Sequence, residues 1–239
     1  RGSGGIVVEG EDVNGDALMD LLVTKLSGGF SNSLTETRIH LNREGTWDLQ
    51  EPDRSYASES TVGLDRLIDL DSDGRPELVR EQIEFSLLEL VEALLTQSLD
   101  TTISIHSPAE KGVFSSEPIR ELDVEIPLSF DTFRPAGFIP TLDTDLNNDG
   151  FRDLLLSEEG DRVDVYLGRP NFKFNQRDAQ QSMDSRGQLR LGDWNSDGLT
   201  DLLIFDPQNP ASKLRLVVNQ GTLTVTDQEK RRIRSGDRY

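Results

Sequence analysis

The nine residues DWNSDGLTD (193–201) set carboxylates at positions 1, 5 and 9 and an amide at position 3, then run directly into LLIF. The same spacing recurs as DVNGDALMD (12–20), DLDSDGRPE (69–77) and DLNNDGFRD (145–153). Position 1 is Asp12, Asp69, Asp145 and Asp193, and position 3 is Asn14, Asp71, Asn147 and Asn195. Position 5 is Asp16, Asp73, Asp149 and Asp197, and position 9 is Asp20, Glu77, Asp153 and Asp201. Hard oxygens at this spacing suit Ca2+, which takes six to eight of them at about 2.3–2.6 Å in a tolerant geometry. Side chains 1, 3 and 5 are expected to point inward, and a residue at positive φ in position 6 then turns the chain. Gly74, Gly150 and Gly198 accept that turn without steric cost. Backbone carbonyls of Leu18, Arg75, Phe151 and Leu199 at position 7 would face the ion, with the position-9 acid closing the cage. Ala17 replaces Gly in the first loop, where a left-handed residue costs about 1–2 kcal/mol. That loop is therefore expected to be weaker or differently turned.

One such stretch could be a plain solvated turn, since Asp, Asn and Gly are ordinary turn residues. Four copies sharing the position-9 acid and the apolar run behind it favour metal. Without a cation, neighbouring carboxylates at about 4–6 Å repel by roughly 1 kcal/mol per pair at water-like dielectric, and by more inside a protein. The chain has 239 residues, with 44 acids against 25 Lys and Arg, a formal charge of −19. Thirteen of those acids lie in the four loops. Such a balance argues against nucleic acid, whose phosphates need a basic footprint. It suits cations or basic partners.

The elements that must carry these loops are short strands. An EF-hand needs an acid at position 12 followed by an amphipathic helix. Position 12 is Val23, Arg80, Leu156 and Ile204, and a brief apolar run follows each position-9 residue, as for a strand buried on both faces. Short stretches lead into each loop: IVV (6–8), RLI (66–68), FIPTL (138–142) and QLRL (188–191). A third strand is expected at TRIHL (37–41), TISI (102–105), VDVYL (163–167) and LRLVV (214–218). A fourth, wetter one is expected at TWDLQ (46–50), DVEIPLSF (123–130), NFKFNQ (171–176) and TLTVTD (222–227). Four strands per unit, inner ones buried and outer ones wet, predict an all-β chain of β-propeller blades. The blades would span about 4–50, 64–132, 138–178 and 187–227, followed by a basic tail or linker at 229–239.

These units resemble the FG-GAP or VCBS repeats of secreted bacterial propellers and of the integrin α-chain head. Those families carry D-x-[DN]-x-D-G-x-x-D on a hairpin, followed by a D-L-L-V-like strand. The departures are Ala17, Glu77 and the lack of a legible Phe-Gly…Gly-Ala-Pro signature. The resemblance implies a Ca2+-binding propeller of up to four ions here, with a protein-binding surface apart from the metal loops. It also implies that four blades can be part of a larger ring, commonly of seven.

First acids fall 57, 76 and 48 residues apart, so the second unit holds an insertion, read as 84–122. Within it SLLELVEALLTQSL (86–99) has apolar residues at helical spacing, and Ser86 with Glu89 forms a capping box. Its Leu face is expected to pack on the propeller, the alternative being a partner-binding helix. Residues 106–122 read as an exposed loop. His40 and His106 make a poor case for zinc or a dyad, there being no Cys. Trp194 reads as packing between blades, with a sugar platform as the alternative.

No apolar run is long enough for a membrane span, and the start, without Met and rich in Gly and Ser, reads as a piece of a longer chain. Together these features predict a non-catalytic extracellular, cell-surface or periplasmic module that serves as a protein- or glycan-interaction scaffold. Other domains or blades of a longer chain are expected beside it. Two alternatives are carried: a propeller enzyme acting on carbohydrate, and a structural part of a larger surface or toxin assembly. No hydrolase, metalloprotease or nucleotide fingerprint is present.

Overall fold

The structure, a computed structural model, describes residues 4–29, 32–59, 61–84, 87–109, 113–129, 134–158, 160–207, 214–221 and 225–229. Among them the chain forms four antiparallel sheets and one helix. The first sheet holds β1 (Gly5–Glu11), β2 (Asp20–Ser27), β3 (Leu34–His40) and β4 (Arg54–Glu59). The second holds β5 (Thr61–Ile68), β6 (Glu77–Glu84), β7 (Ser98–His106), β8 (Arg120–Ser129) and β9 (Arg134–Pro135), with α1 (Leu87–Thr96) between β6 and β7. The third holds β10 (Thr141–Thr144), β11 (Asp153–Glu158), β12 (Arg162–Tyr166) and β13 (Ala179–Ser182). The fourth holds β14 (Gln188–Gly192), β15 (Asp201–Phe205), β16 (Arg215–Asn219) and β17 (Val225–Glu229). In every sheet the spatial order is the sequence order, so each strand pairs with the next by a hairpin.

The chain divides into two compact units, Arg1–Glu125 and Ile126–Tyr239. In the first, alternation puts Leu22, Thr24, Thr37 and Ile39 on one face of the first sheet, where cross-strand register pairs Leu22 with Ile39 and Thr24 with Thr37. That face meets Leu78 and Leu67 of the second sheet around Val13, Leu41, Tyr56 and Phe114. In the second unit, Leu155, Val163 and Val165 pack with Leu202, Ile204 and Val217 around Phe138, Leu146 and Met183. The LLV- and LLI-type runs are thus inner strands. The strand after each position-9 residue excludes the helical alternative.

Several expectations are corrected. TWDLQ (46–50) and NFKFNQ (171–176) are loops, and the fourth strands lie further on, at β4 and β13. TWDLQ is held out of the ladder by the bonds of Trp47 and Asp48 described below. The helix is shorter than 86–99, because Ser98 and Leu99 already belong to β7. Ser86 of the capping box lies outside the described residues. Ala93 is buried, while Val91, Leu94 and Leu95 face solvent, so the apolar stripe does not pack inward as a whole.

Among its described residues the stretch 106–122 is not an exposed loop throughout, although Ile119 is exposed. Phe114 is fully buried in the core of the first unit, and Ser115 is pinned there. The Tyr56 hydroxyl donates to the Ser115 carbonyl at 2.7 Å, and His106 Nδ1 lies 2.9 Å from the same oxygen. The Tyr56 and His106 rings meet edge to face at 5.0 Å, and the Arg80 guanidinium sits over Tyr56 while Nε donates to buried Asp65 at 2.8 Å. Here the insertion supplies a core side chain that the regular strands leave missing.

Candidate functional site

Each acidic loop joins the first two strands of its sheet, and all four close by the same rule. The position-1 carboxylate accepts backbone N–H groups across the turn: Asp12 from Gly15, Asp16 and Ala17 at 2.7, 3.1 and 2.7 Å, and Asp69 from Gly74 at 3.0 Å. Asp145 takes those of Asp149 and Gly150 at 3.2 and 2.8 Å, and Asp193 those of Asp197 and Gly198 at 3.1 and 2.9 Å. The position-5 carboxylate accepts the N–H of position 7, namely Leu18, Arg75, Phe151 and Leu199, at 2.8–2.9 Å. Two residues per loop take positive φ. Gly15, Ser72, Asn148 and Ser196 do so at position 4, and Ala17, Gly74, Gly150 and Gly198 at position 6. Ala17, at φ 65°, turns the first loop like the others instead of differently.

Position 9 begins the second strand and is buried in every loop. Asp20 accepts the N–H of Val13 at 3.0 Å and of Asn42 at 2.7 Å; Asp153 accepts those of Leu146 and Gly168 at 2.7 and 2.9 Å. Asp201 accepts those of Trp194 and Asn219 at 3.0 and 2.8 Å. Each of these three acids therefore ties its loop to the end of the third strand. Asn219 extends the tie, since its Nδ2 donates to the Leu146 carbonyl at 2.7 Å and links the third loop to the fourth. Glu77 accepts from Leu70 at 2.9 Å. This bracing role is invisible in a sequence read only for ligands.

The second loop differs chemically. In the other three the position-3 Asn donates Nδ2 to the position-5 carboxylate at 2.9 Å. Asp71 has no such proton to give. Among the described residues, Asp69, Asp71 and Glu77 are the group that brings metal-ligating oxygens within 4.8 Å of one another. Burial, then the neighbouring acids Asp71, Asp73 and Asp69, push Glu77 up to about 8 against the opposing Leu70 N–H. Burial likewise lifts Asp153 to about 6 and Asp20 and Asp71 above their ordinary values. Asp12 moves the other way: burial works upward, but the N–H groups of Ala17, Gly15, Asp16 and Asn14 outweigh it. The N–H of Gly198 leads those that hold Asp193 low. Carboxylates desolvated beside one another are what a bound cation offsets.

A second constructed loop, missed by sequence reading, sits beside each of two acidic ones. Between β3 and β4, Asp53 accepts the Leu41 N–H at 2.8 Å and pairs with Arg43. Between β12 and β13, Asp178 accepts the Leu167 N–H at 2.8 Å and pairs with Arg169 at 2.5 Å. Both turn on two consecutive left-handed residues, Glu44–Gly45 and Asn171–Phe172. The arginine and the aspartate nine or ten residues later were the available signal. His40 is buried with Nδ1 2.6 Å from the Asp48 carbonyl, His106 serves the Ser115 anchor, and Trp194 is half-exposed rather than packed.

An all-β chain with acid-rich hairpin loops at the entry to inner strands is the class these features define. Within it, residues 145–204 match the family model of the FG-GAP-like repeat. No functionally characterised protein matches the chain in sequence. Among the described residues no helix is long and apolar enough to cross a membrane.

Proposed function

We propose that the chain is a Ca2+-binding β-propeller module, each sheet a blade, that acts without catalysis as a protein- or glycan-interaction scaffold outside the cell or in the periplasm. One observation carries the reading: a loop of hard oxygen donors is built four times to one hydrogen-bonding plan, with Asp69, Asp71 and Glu77 gathered within 4.8 Å. The donor set contains carboxylates and amides and no Cys or His, the chemistry of Ca2+ rather than zinc. Positions 1, 3 and 5 of each loop would hold an ion, with Glu77 added in the second. The ion would supply charge neutralisation and rigidity and no reaction. Each adds two positive charges, so four would bring the formal charge from −19 to −11.

Extracellular modules bind Ca2+ with Kd of about 10⁻⁴–10⁻³ M. At tenfold excess over Kd each site adds about 1.4 kcal/mol, and four independent sites about 5–6. Thermal unfolding in EDTA and in millimolar Ca2+, with a calorimetric count of bound ions, tests this. A rise in Tm with three or four ions is expected. No shift and no binding would return the loops to plain acidic turns.

A further inference from the structure

The loop between β3 and β4 does more than connect. Met19, at the end of the first acidic loop, and Trp47 and Leu49, in the 41–53 loop, are exposed by 59, 37 and 58%, with Leu18 beside them at 37%. Trp47 is not loose: its Nε1 donates to the Met19 carbonyl at 3.0 Å, which joins the two loops and fixes the indole. Asn42 Nδ2 donates to the same carbonyl at 3.0 Å, and Asn42 Oδ1 takes the Gly45 N–H at 2.7 Å. Asp48 caps the N–H groups of Gln50 and Glu51 at 2.9 and 3.1 Å, and its carbonyl meets His40. Almost every turn of this loop is tied, yet its largest apolar side chains face water.

The matching loop between β12 and β13 shows that the architecture does not require this. It keeps the same Arg–Asp pair and left-handed turn, but of its two aromatics Phe172 is buried and Phe174 is partly covered. Trp47 is more exposed than either. A pre-organised Trp beside Met matches the residues enriched at interfaces, with little ordering cost left on binding. Charge selects the partner. Glu44, Asp48 and Glu51 lie in the same loop as Trp47 and Leu49 and are exposed, while Arg43 is committed to Asp53.

We propose that Met19, Trp47 and Leu49 form a docking surface for a basic peptide segment, an apolar anchor flanked by Lys or Arg. This deepens the reading of the chain as a binding module and rests on it. Electrostatic complementarity speeds association and excludes acidic partners, and the apolar centre provides the affinity.

The test is selection from a random peptide library on the intact chain in millimolar Ca2+, followed by titration of the enriched peptides. The chain has two tryptophans, so W194F leaves Trp47 as the sole tryptophan, read with excitation at the red edge where tyrosine does not absorb. Enriched peptides should carry Lys or Arg around an aromatic or aliphatic residue and shift Trp47 emission. They should lose about tenfold or more in affinity on Trp47→Ala or Leu49→Ser, with Tm unchanged in Leu49→Ser, which leaves the Trp47–Met19 bond in place. The proposal is overturned if enriched peptides lack basic residues, bind both variants undiminished, or fail to enrich over the W47A/L49S protein. Retention on a glycan array, abolished by W47A, would give the patch to a sugar and overturn it equally. Failure of the Ca2+-dependent Tm shift is scored separately: it removes the metal reading and leaves peptide docking to stand or fall by its own titration.

Discussion

Replacing Ala17 by Gly should stabilise the protein, and the reverse change in the other loops should destabilise it. Ala17 is exposed and held at φ 65°, where an L-residue other than Gly pays about 1–2 kcal/mol. Glycine relieves that strain but gives the unfolded chain freedom worth about 0.4–1 kcal/mol. The mid-range difference is about 0.8 kcal/mol in favour of Ala17→Gly. Gly74, Gly150 and Gly198 stand at φ 85°, 92° and 85°, and a Cβ on any of them would meet no atom within 4 Å. Their change to Ala thus carries backbone strain with no clash, and should cost the same amount. Urea denaturation in EDTA reads the effect free of any ion. With an m-value of about 2 kcal/mol/M, each substitution should move the midpoint by about 0.4 M, upward for A17G and downward for the others. An A17G midpoint that stays or falls, with unchanged m, would refute the strain argument. So would three neutral Gly→Ala variants.

Position 9 should matter with or without metal, position 5 mainly with it. Asp201→Ala strands the part-buried N–H of Trp194 and the buried N–H of Asn219 and should cost about 2–4 kcal/mol in EDTA, whereas exposed Asp197→Ala should cost little there and lower the calorimetric ion count. Equal losses in EDTA would contradict the division. Phe114→Ala should lose about 3–5 kcal/mol in urea denaturation, since its ring is fully buried between the sheets of the first unit; a loss below about 1 would show that the insertion is no core component. Burial, and then the positive charge of Arg80, hold His106 below its ordinary value of 6.5 against the Ser115 carbonyl. The folded state thus prefers the neutral ring, and this contribution is complete above pH 6.5 and lost as pH falls through the folded value. With only two histidines, an NMR titration should show one ring titrating below 6.5 and keeping its shift after His40→Gln, and a normal or raised value would reverse the sign.

The first two strands of each sheet and the loop between them were legible because their signals are local. Asp193, Asn195 and Asp197 alternate on one short turn, and Leu202, Leu203 and Ile204 announce a buried strand by themselves. What escaped depends on partners far along the chain. Phe114 is buried by Leu22, Ile39 and Leu78, and nothing around GVFSS distinguishes it from an exposed loop. TWDLQ has strand-like composition, yet the Trp47–Met19 and His40–Asp48 bonds hold it as a loop. Spacing alone makes the position-9 acids look like the closing ligand of a cage. Their second backbone donors, as at Asn42 and Gly168, lie 22 and 15 residues away and could not be inferred from spacing.

Strand order that follows chain order sets how this protein can be made and altered. All-β folds are usually slow to form because their ladders join distant segments. Here each strand finds its partner across the next turn, and the longest detours, at 41–53, through α1 and at 107–119, are hairpins with an excursion built in. Loop closure grows only logarithmically more costly with length, so such excursions can lengthen without unmaking a ladder. Growth by copying a whole sheet is then cheap, because a duplicate arrives with its pairing partners already on the same stretch of chain.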